Sequence, residues 1–213
     1  MAEPLRRHAM VTAAPPAWAA LMVARPGLAT EPLVAGWAKA GYPLIVRRPA
    51  CGDAAGEVPL GLPLPPAQGK RRIAVTLAPA DVADAGGPPL LADAAAAAPP
   101  VWRGSIARLV ALDPGTRVFG SLAWQHLTGL PYLSEGSDLD LLWRLPADLD
   151  ALLAGIAAIA RDAPMRVDGE ITGAAGGVQW RELAESGPGD IAVKGLREIR
   201  LMPRADFLAG GAE

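Results

Sequence analysis

The segment Ser137-Asp-Leu-Asp-Leu-Leu-Trp-Arg-Leu145 sets two carboxylates, Asp138 and Asp140, into an apolar run of strand length. Side chains on a strand alternate between its faces, so both carboxylates point the same way. Like charges side by side repel, and burial raises the cost of each. A fold that contains this strand must therefore bring positive charge to that face.

The residues just before it suggest one kind of charge. Val118-Phe119-Gly120-Ser121 reads as the end of a short strand and the start of a helix. Gly120 lets the backbone turn tightly, and the helix start offers unpaired N–H groups and a partial positive charge. With the Ser121 hydroxyl, such a turn suits a phosphate. Alone, a Gly-Ser pair is more often a turn and a cap. Asp138 and Asp140 add the means to hold a hard divalent cation, Mg²⁺ or Mn²⁺, which prefers oxygen ligands and keeps room for substrate phosphates. A third carboxylate is available in Met165-Arg-Val-Asp-Gly-Glu-Ile171, where Arg166, Asp168 and Glu170 share the face opposite Met165 and Val167. The competing reading makes Asp138 a strand end, Asp140 an exposed edge residue and Asp168-Gly169 a hairpin turn.

Around this centre the elements form an α+β pattern. Residues 1–84 are expected to make a small N-terminal α/β domain, with helices in Trp18–Ala24 and Pro32–Gly41 and strands in Tyr42–Pro49 and Lys70–Pro79. Cys51–Gly69, rich in Pro and Gly, reads as a loop or irregular edge. Residues 85–100 read as a linker or one short helix. Residues 101–213 carry the regular pattern of a mixed-sheet domain, with helices in 104–115, 121–129 and 146–163. Strands are expected in 117–120, 137–145, 165–172, 177–183, 190–195 and 197–203.

Composition limits the function classes. The 213 residues are 51% hydrophobic with a net charge of −2, which argues against general nucleic-acid binding. Charge is uneven. Through Arg72 there are nine Lys and Arg against four Asp and Glu; beyond it, eleven against eighteen. A basic first part and an acidic second part can hold a polyanion plus a metal, or simply attract each other. Cys51 is the only cysteine, which fits a reducing compartment. The uncharged run His8–Ala24 is too short to span a bilayer, and Pro15-Pro16 interrupt it. These features predict a soluble, cytoplasmic protein without membrane or nucleic-acid partners.

Other residues carry weaker signals. Arg47-Arg48 and Lys70-Arg71-Arg72 offer paired charges for phosphates, or guard solvated strand edges. Lys194 stands where a strand can aim it into the cleft, or at an ordinary surface position. Glu170 and Glu182 are peripheral to the site or exposed on this reading. His8, His126 and Cys51 make neither a zinc pattern nor a nucleophile–base pair. Trp124, Trp143 and Trp180 are assigned to packing.

Gly120-Ser121 followed by Ser137-Asp-Leu-Asp-Leu-Leu142 resembles the signature of the nucleotidyltransferase superfamily, with its DNA polymerase β-like fold. The intervening Thr128–Gly136 departs from the closer spacing in many members and points to a narrower family. Gly120–Trp143, Arg166–Glu170, Val178–Leu183 and Val193–Gly195, preceded by Pro43–Pro49 and Val58–Arg72, resemble the phosphoribosyl-dephospho-CoA transferases of bacterial malonate decarboxylase. The resemblance covers most of the chain. It implies transfer of the prosthetic group from 2'-(5''-triphosphoribosyl)-3'-dephospho-CoA to a serine of the apo acyl carrier protein subunit, with diphosphate released. It also implies that Asp138, Asp140 and Asp168 are catalytic and metal-holding, with Asp168 either a metal ligand or the acceptor of the serine proton. Gly120, Ser121, Arg47, Arg48, Lys70, Arg71 and Lys194 are then the substrate-binding candidates. Two alternatives remain at this stage: another nucleotidyltransferase acting on a small molecule or protein, and a nucleotide-binding module without activity.

Overall fold

The computed structural model describes residues 5–185, 187 and 189–211. It is α+β, and the chain divides between Gly87 and Pro88 into two units, each built on its own sheet.

The first unit contains β1 (Met10–Ala13), α1 (Pro15–Ala24), α2 (Pro26–Ala29), α3 (Pro32–Ala35), β2 (Leu44–Val46), β3 (Val58–Pro63), β4 (Arg72–Leu77) and β5 (Val82–Gly86). The sheet order is β4-β3-β2-β1-β5, and each neighbouring pair is antiparallel. This corrects the expected α/β character of the unit: α1 to α3 join antiparallel strands and make no parallel crossover. Pro15 and Pro16 open α1, where their fixed φ and missing N–H cost nothing. Trp18 and Trp37 fill the core, and their indole N–H groups donate to Val34 O and Pro43 O, each at 2.9 Å.

The Pro-rich segment after Cys51 differs most from its sequence pattern. It forms β3, an internal strand with Val58, Leu60 and Leu62 buried in alternation. Two prolines are tolerated there because β2 spans only three residues. Pro59 O accepts from Arg47 N just past one end of β2, so the missing Pro59 N–H also faces that end. Pro63 stands two residues beyond Gly61, the register partner of Ile45, and so overruns β2 at its other end.

The second unit contains α4 (Leu91–Ala94), α5 (Arg103–Leu112), β6 (Arg117–Phe119), α6 (Gly120–Thr128), β7 (Leu139–Arg144), α7 (Leu149–Asp162), β8 (Val167–Gly173), β9 (Gly176–Gln179), α8 (Trp180–Glu185), β10 (Asp190–Lys194), β11 (Ile199–Pro203) and α9 (Arg204–Ala209). The sheet is mixed, in the order β11-β10-β9-β8-β7-β6. β7 and β8 run parallel with α7 as their crossover, and the other pairings are antiparallel. Residues 85–86 end β5, and Leu91 and Ala94 of α4 are fully buried in the second core, so the later part of segment 85–100 is packed structure. Asp148 caps α7 by accepting from Ala151 N at 3.0 Å.

Alternation decides which face of β7 is apolar. Leu139, Leu141 and Trp143 enter the core with Ile106, Leu109 and Ile156 of the helices. Asp138 and Asp140 therefore look to the opposite face. One further difference concerns residues 177–183, expected as a strand throughout. The strand ends at Gln179, whose side-chain Oε1 accepts from Arg181 N at 2.6 Å and Glu182 N at 3.2 Å and so starts α8. Among the described residues no helix is long and apolar enough to cross a membrane.

Candidate active site

The three neighbouring strands β6, β7 and β8 gather the carboxylates and the Gly-Ser turn. Asp140 is the register partner of Phe119 on one side and of Asp168 on the other. Gly120 follows Phe119 and has φ +66°, a conformation that glycine adopts without strain. A Cβ on Gly120 would stand 2.0 Å from Asp140 Oδ2. The glycine thus does two things: it turns strand into helix, and it leaves the space that the Asp140 carboxylate fills. Ser121 follows in the first turn of α6, half-buried.

Asp168 is held from several sides. Its Oδ1 accepts from Gly169 N at 2.8 Å and from Gln179 Nε2 at 2.7 Å. Arg181 Nη1 lies 3.7 Å from Oδ1, and Arg166 Nη2 lies 3.4 Å from Oδ2. Arg181 is itself fixed: Nη2 donates to Val167 O at 2.8 Å, and the guanidinium lies 4.4 Å from the centre of the Trp180 ring. Gln179 links two elements, since one amide both starts α8 and orients Asp168. Gly169, with φ +153°, packs against Leu141 O, so Asp168-Gly169 is the interior of a parallel strand and not a hairpin turn.

Asp138 lies just before β7, and Arg166 just before β8. Arg166 Nη1 is 3.9 Å from Asp138 Oδ2. The positive charge demanded by the strand pattern thus includes an arginine that faces both Asp138 and Asp168. Arg166, Gln179 and Arg181 were not among the site residues expected from the sequence. For Arg166 the signal was present, because it shares a strand face with Asp168. Gln179 and Arg181 depend on where β9 stops and α8 begins, which the apolar pattern does not mark.

Among the described residues no three His, Cys, Asp or Glu side chains are close enough together to hold a metal ion by themselves. The donor chemistry nevertheless fits Mg²⁺. Asp138 and Asp140 offer hard carboxylate oxygens on one sheet face, and Mg²⁺ usually takes one or two protein carboxylates and fills its other positions with water and phosphate oxygens.

Lys194 belongs to an adjoining pair. Its Nζ is 3.0 Å from Glu170 Oε1, and Glu170 is buried at 5% exposure. The contact reaches across β9 because Gly177 has no side chain; a Cβ there would meet Glu170 Oε2 at 2.7 Å. Glu170, expected at the periphery or surface, is instead a buried ion-pair partner. Glu182 is also committed, with Oε1 accepting from Ala192 N at 2.7 Å.

Arg47, Arg48, Lys70 and Arg71 all lie in the first unit. Arg47 forms a two-pronged pair with Asp53, at 2.8 and 2.6 Å, and its Nε donates to Leu60 O at 3.1 Å. This pairing and the Ala50 N–H together bring the Asp53 carboxyl down to about 2. Arg71 pairs with Glu31, which holds the Glu31 carboxyl below its ordinary range and raises the arginine. Arg48 Nε is buried without a hydrogen-bond partner, and Lys70 is exposed at φ +54°.

Comparison with known proteins gives a consistent result. Residues 6–88 match the family model of the phosphoribosyl-dephospho-CoA transferase MdcG N-terminal domain, and residues 90–205 that of the MdcG C-terminal domain. A phosphoribosyl-dephospho-CoA transferase of Bradyrhizobium diazoefficiens is 42% identical over 98% of this chain and 94% of its own length. One from Xanthomonas euvesicatoria is 37% identical, covering 93% of this chain and 94% of the relative. One from Xanthomonas campestris is 38% identical, covering 82% and 84%. No solved structure matches.

Proposed function

Because the chain belongs to the phosphoribosyl-dephospho-CoA transferase family, we propose that it attaches that group to a carrier protein of malonate decarboxylase. The donor is 2'-(5''-triphosphoribosyl)-3'-dephospho-CoA, and the acceptor is a serine of the apo acyl carrier protein subunit. The fold proposed for the second unit is that of the nucleotidyltransferases. The observation that carries this reading is the seating of Asp140 against Gly120, in register with Asp168, at the start of α6.

The chemistry follows from those positions. The serine oxygen attacks the α-phosphorus of the triphosphate, the bond from that phosphorus to the bridging oxygen breaks, and diphosphate leaves. Such a transfer needs positioning and charge stabilisation more than covalent help. The free N–H groups of α6 and the Ser121 hydroxyl bind phosphate oxygens. Asp138 and Asp140 would hold Mg²⁺ or Mn²⁺, which supplies positive charge to the phosphates and the departing diphosphate. Asp168 Oδ1 is occupied by Gln179 and the Gly169 N–H. Oδ2 is then the oxygen that takes the serine proton, or a ligand to a second cation. Gln179 and Arg181 hold Asp168 in place for either role.

In the first unit, Arg48 and Lys70 are the residues proposed to contact the donor's phosphates or its CoA portion. Arg47 and Arg71 are bound to Asp53 and Glu31, so their contribution there is to shape the surface. The proposed setting is cytoplasmic.

Diphosphate release tests the reaction. With donor, Mg²⁺ and apo carrier protein, diphosphate should appear in step with carrier modified. Release should stop when the acceptor serine is replaced by alanine. Release that ignores the carrier would make the chain a hydrolase or a transferase to another acceptor.

A further inference from the structure

Arg47 and Arg166 meet their carboxylates with different geometry. Arg47 grips Asp53 with two nitrogens at 2.8 and 2.6 Å, the lengths of a fixed charge-assisted fork. Arg166 reaches Asp138 and Asp168 with one nitrogen each, at 3.9 and 3.4 Å, and its side chain is 59% exposed. Both contacts are longer than charge-assisted hydrogen bonds, which fall near about 2.7–2.9 Å. The first is a strut. The second is a loosely held counter-ion on a long side chain with freedom to move.

Its backbone, by contrast, is fixed. Arg166 O accepts from Leu139 N at 2.8 Å, which places the residue opposite Asp138, two residues before the Asp140–Asp168 row and on the same face. A guanidinium in this position lies at the edge of the carboxylate cluster, and its planar fork also matches phosphate oxygens. A divalent cation at Asp138 would repel it from that carboxylate, and a polyphosphate would attract it.

We infer that Arg166 is an exchangeable counter-ion: it neutralises Asp138 and Asp168 before substrate arrives, yields Asp138 to the divalent cation, and turns to the donor's polyphosphate. It is a positioning residue for the polyphosphate and a competitor of the metal. The inference rests on the metal-and-polyphosphate reading of the site proposed above.

The signature is a pair of opposite effects from one substitution in the full-length protein. Mn²⁺ binding without donor is measured by calorimetry, and binding of inorganic triphosphate is measured at saturating Mg²⁺. Arg166→Met should tighten Mn²⁺ by about two- to fivefold, the size of an exposed ion pair removed from competition. It should weaken triphosphate by about tenfold, the size of a lost charge-assisted hydrogen bond. If Arg166→Met loses its fold, Arg166→Lys carries the test; it keeps the charge without the fork and should weaken triphosphate without weakening Mn²⁺. Effects of the same sign on both ligands, or none on either, with wild type binding both, would overturn the role of Arg166 alone. A wild type that binds neither would overturn the metal-and-polyphosphate reading, and this role with it.

Discussion

At the scale of single residues, Gly120 and Asp53 carry the sharpest consequences. Gly120→Ala puts a methyl group 2.0 Å from Asp140 Oδ2 at a φ of +66°. The backbone strain should cost about 1–2 kcal/mol. The larger effect is displacement of Asp140, which should lower the transfer rate about a hundredfold while the fold survives. Rate measurements beside thermal melts would show it, and near-normal transfer by the folded variant would remove Asp140 from the site. Asp53 tests the first unit. Its folded carboxyl sits at about 2 against an ordinary 3.8, chiefly through the hydrogen bonds from Arg47. A depressed carboxyl stabilises the fold above its unfolded value, and that contribution disappears as pH falls through the folded value. The wild type should therefore lose stability relative to Asp53→Asn between about pH 4 and pH 2. Parallel melts across that window in which the two proteins keep a constant difference would show that the pair contributes nothing. The placement of Asp138, Asp140 and Asp168 on one sheet face was legible in the sequence because strand alternation places side chains by simple parity. The pairing of Arg47 with Asp53 was not legible, because Asp53 lies in a Pro- and Gly-rich segment where no periodicity signals which residues meet.

At the scale of elements, pairing determines what each strand presents. Gly177 on β9 lets Glu170 of β8 reach Lys194 of β10. Removing the lysine alone leaves a buried carboxylate without its cation, which is costlier than losing both groups. Lys194→Met should destabilise the protein by about 2 kcal/mol, less than a fully buried pair because the lysine is partly exposed. Glu170→Gln in the same chain should recover part of that loss in denaturant titrations. A double variant no more stable than Lys194→Met would mean that the pair is not coupled. The sequence showed Lys194 only as a strand residue with two possible outlooks, because α8 separates β9 from β10 and the register between those strands is set by tertiary contacts. The same limit hid β3. Prolines argue against an internal strand until the short span of β2 shows that both lie beyond its paired residues. It also hid the start of α8, which Gln179 makes with a side-chain cap inside a run that favours strand.

At the scale of the whole molecule, the chain is two sheet-based units in a family defined by transfer of phosphoribosyl-dephospho-CoA. The α+β class and the mixed sheet of the second unit follow from alternating patterns and a long amphipathic helix between two parallel strands. The antiparallel sheet of the first unit did not, since short helices between strands look alike whether they cross over or merely turn. The proposed reaction leaves a mark that is independent of these details: a defined mass on a defined residue. Purified apo acyl carrier protein, incubated with this protein, Mg²⁺ and triphosphoribosyl-dephospho-CoA, should gain the mass of the phosphoribosyl-dephospho-CoA group on one serine, and Asp140→Ala should leave it unmodified. An unmodified carrier with active wild-type protein, or an adduct with the mass of AMP when ATP is supplied instead, would contradict the proposal.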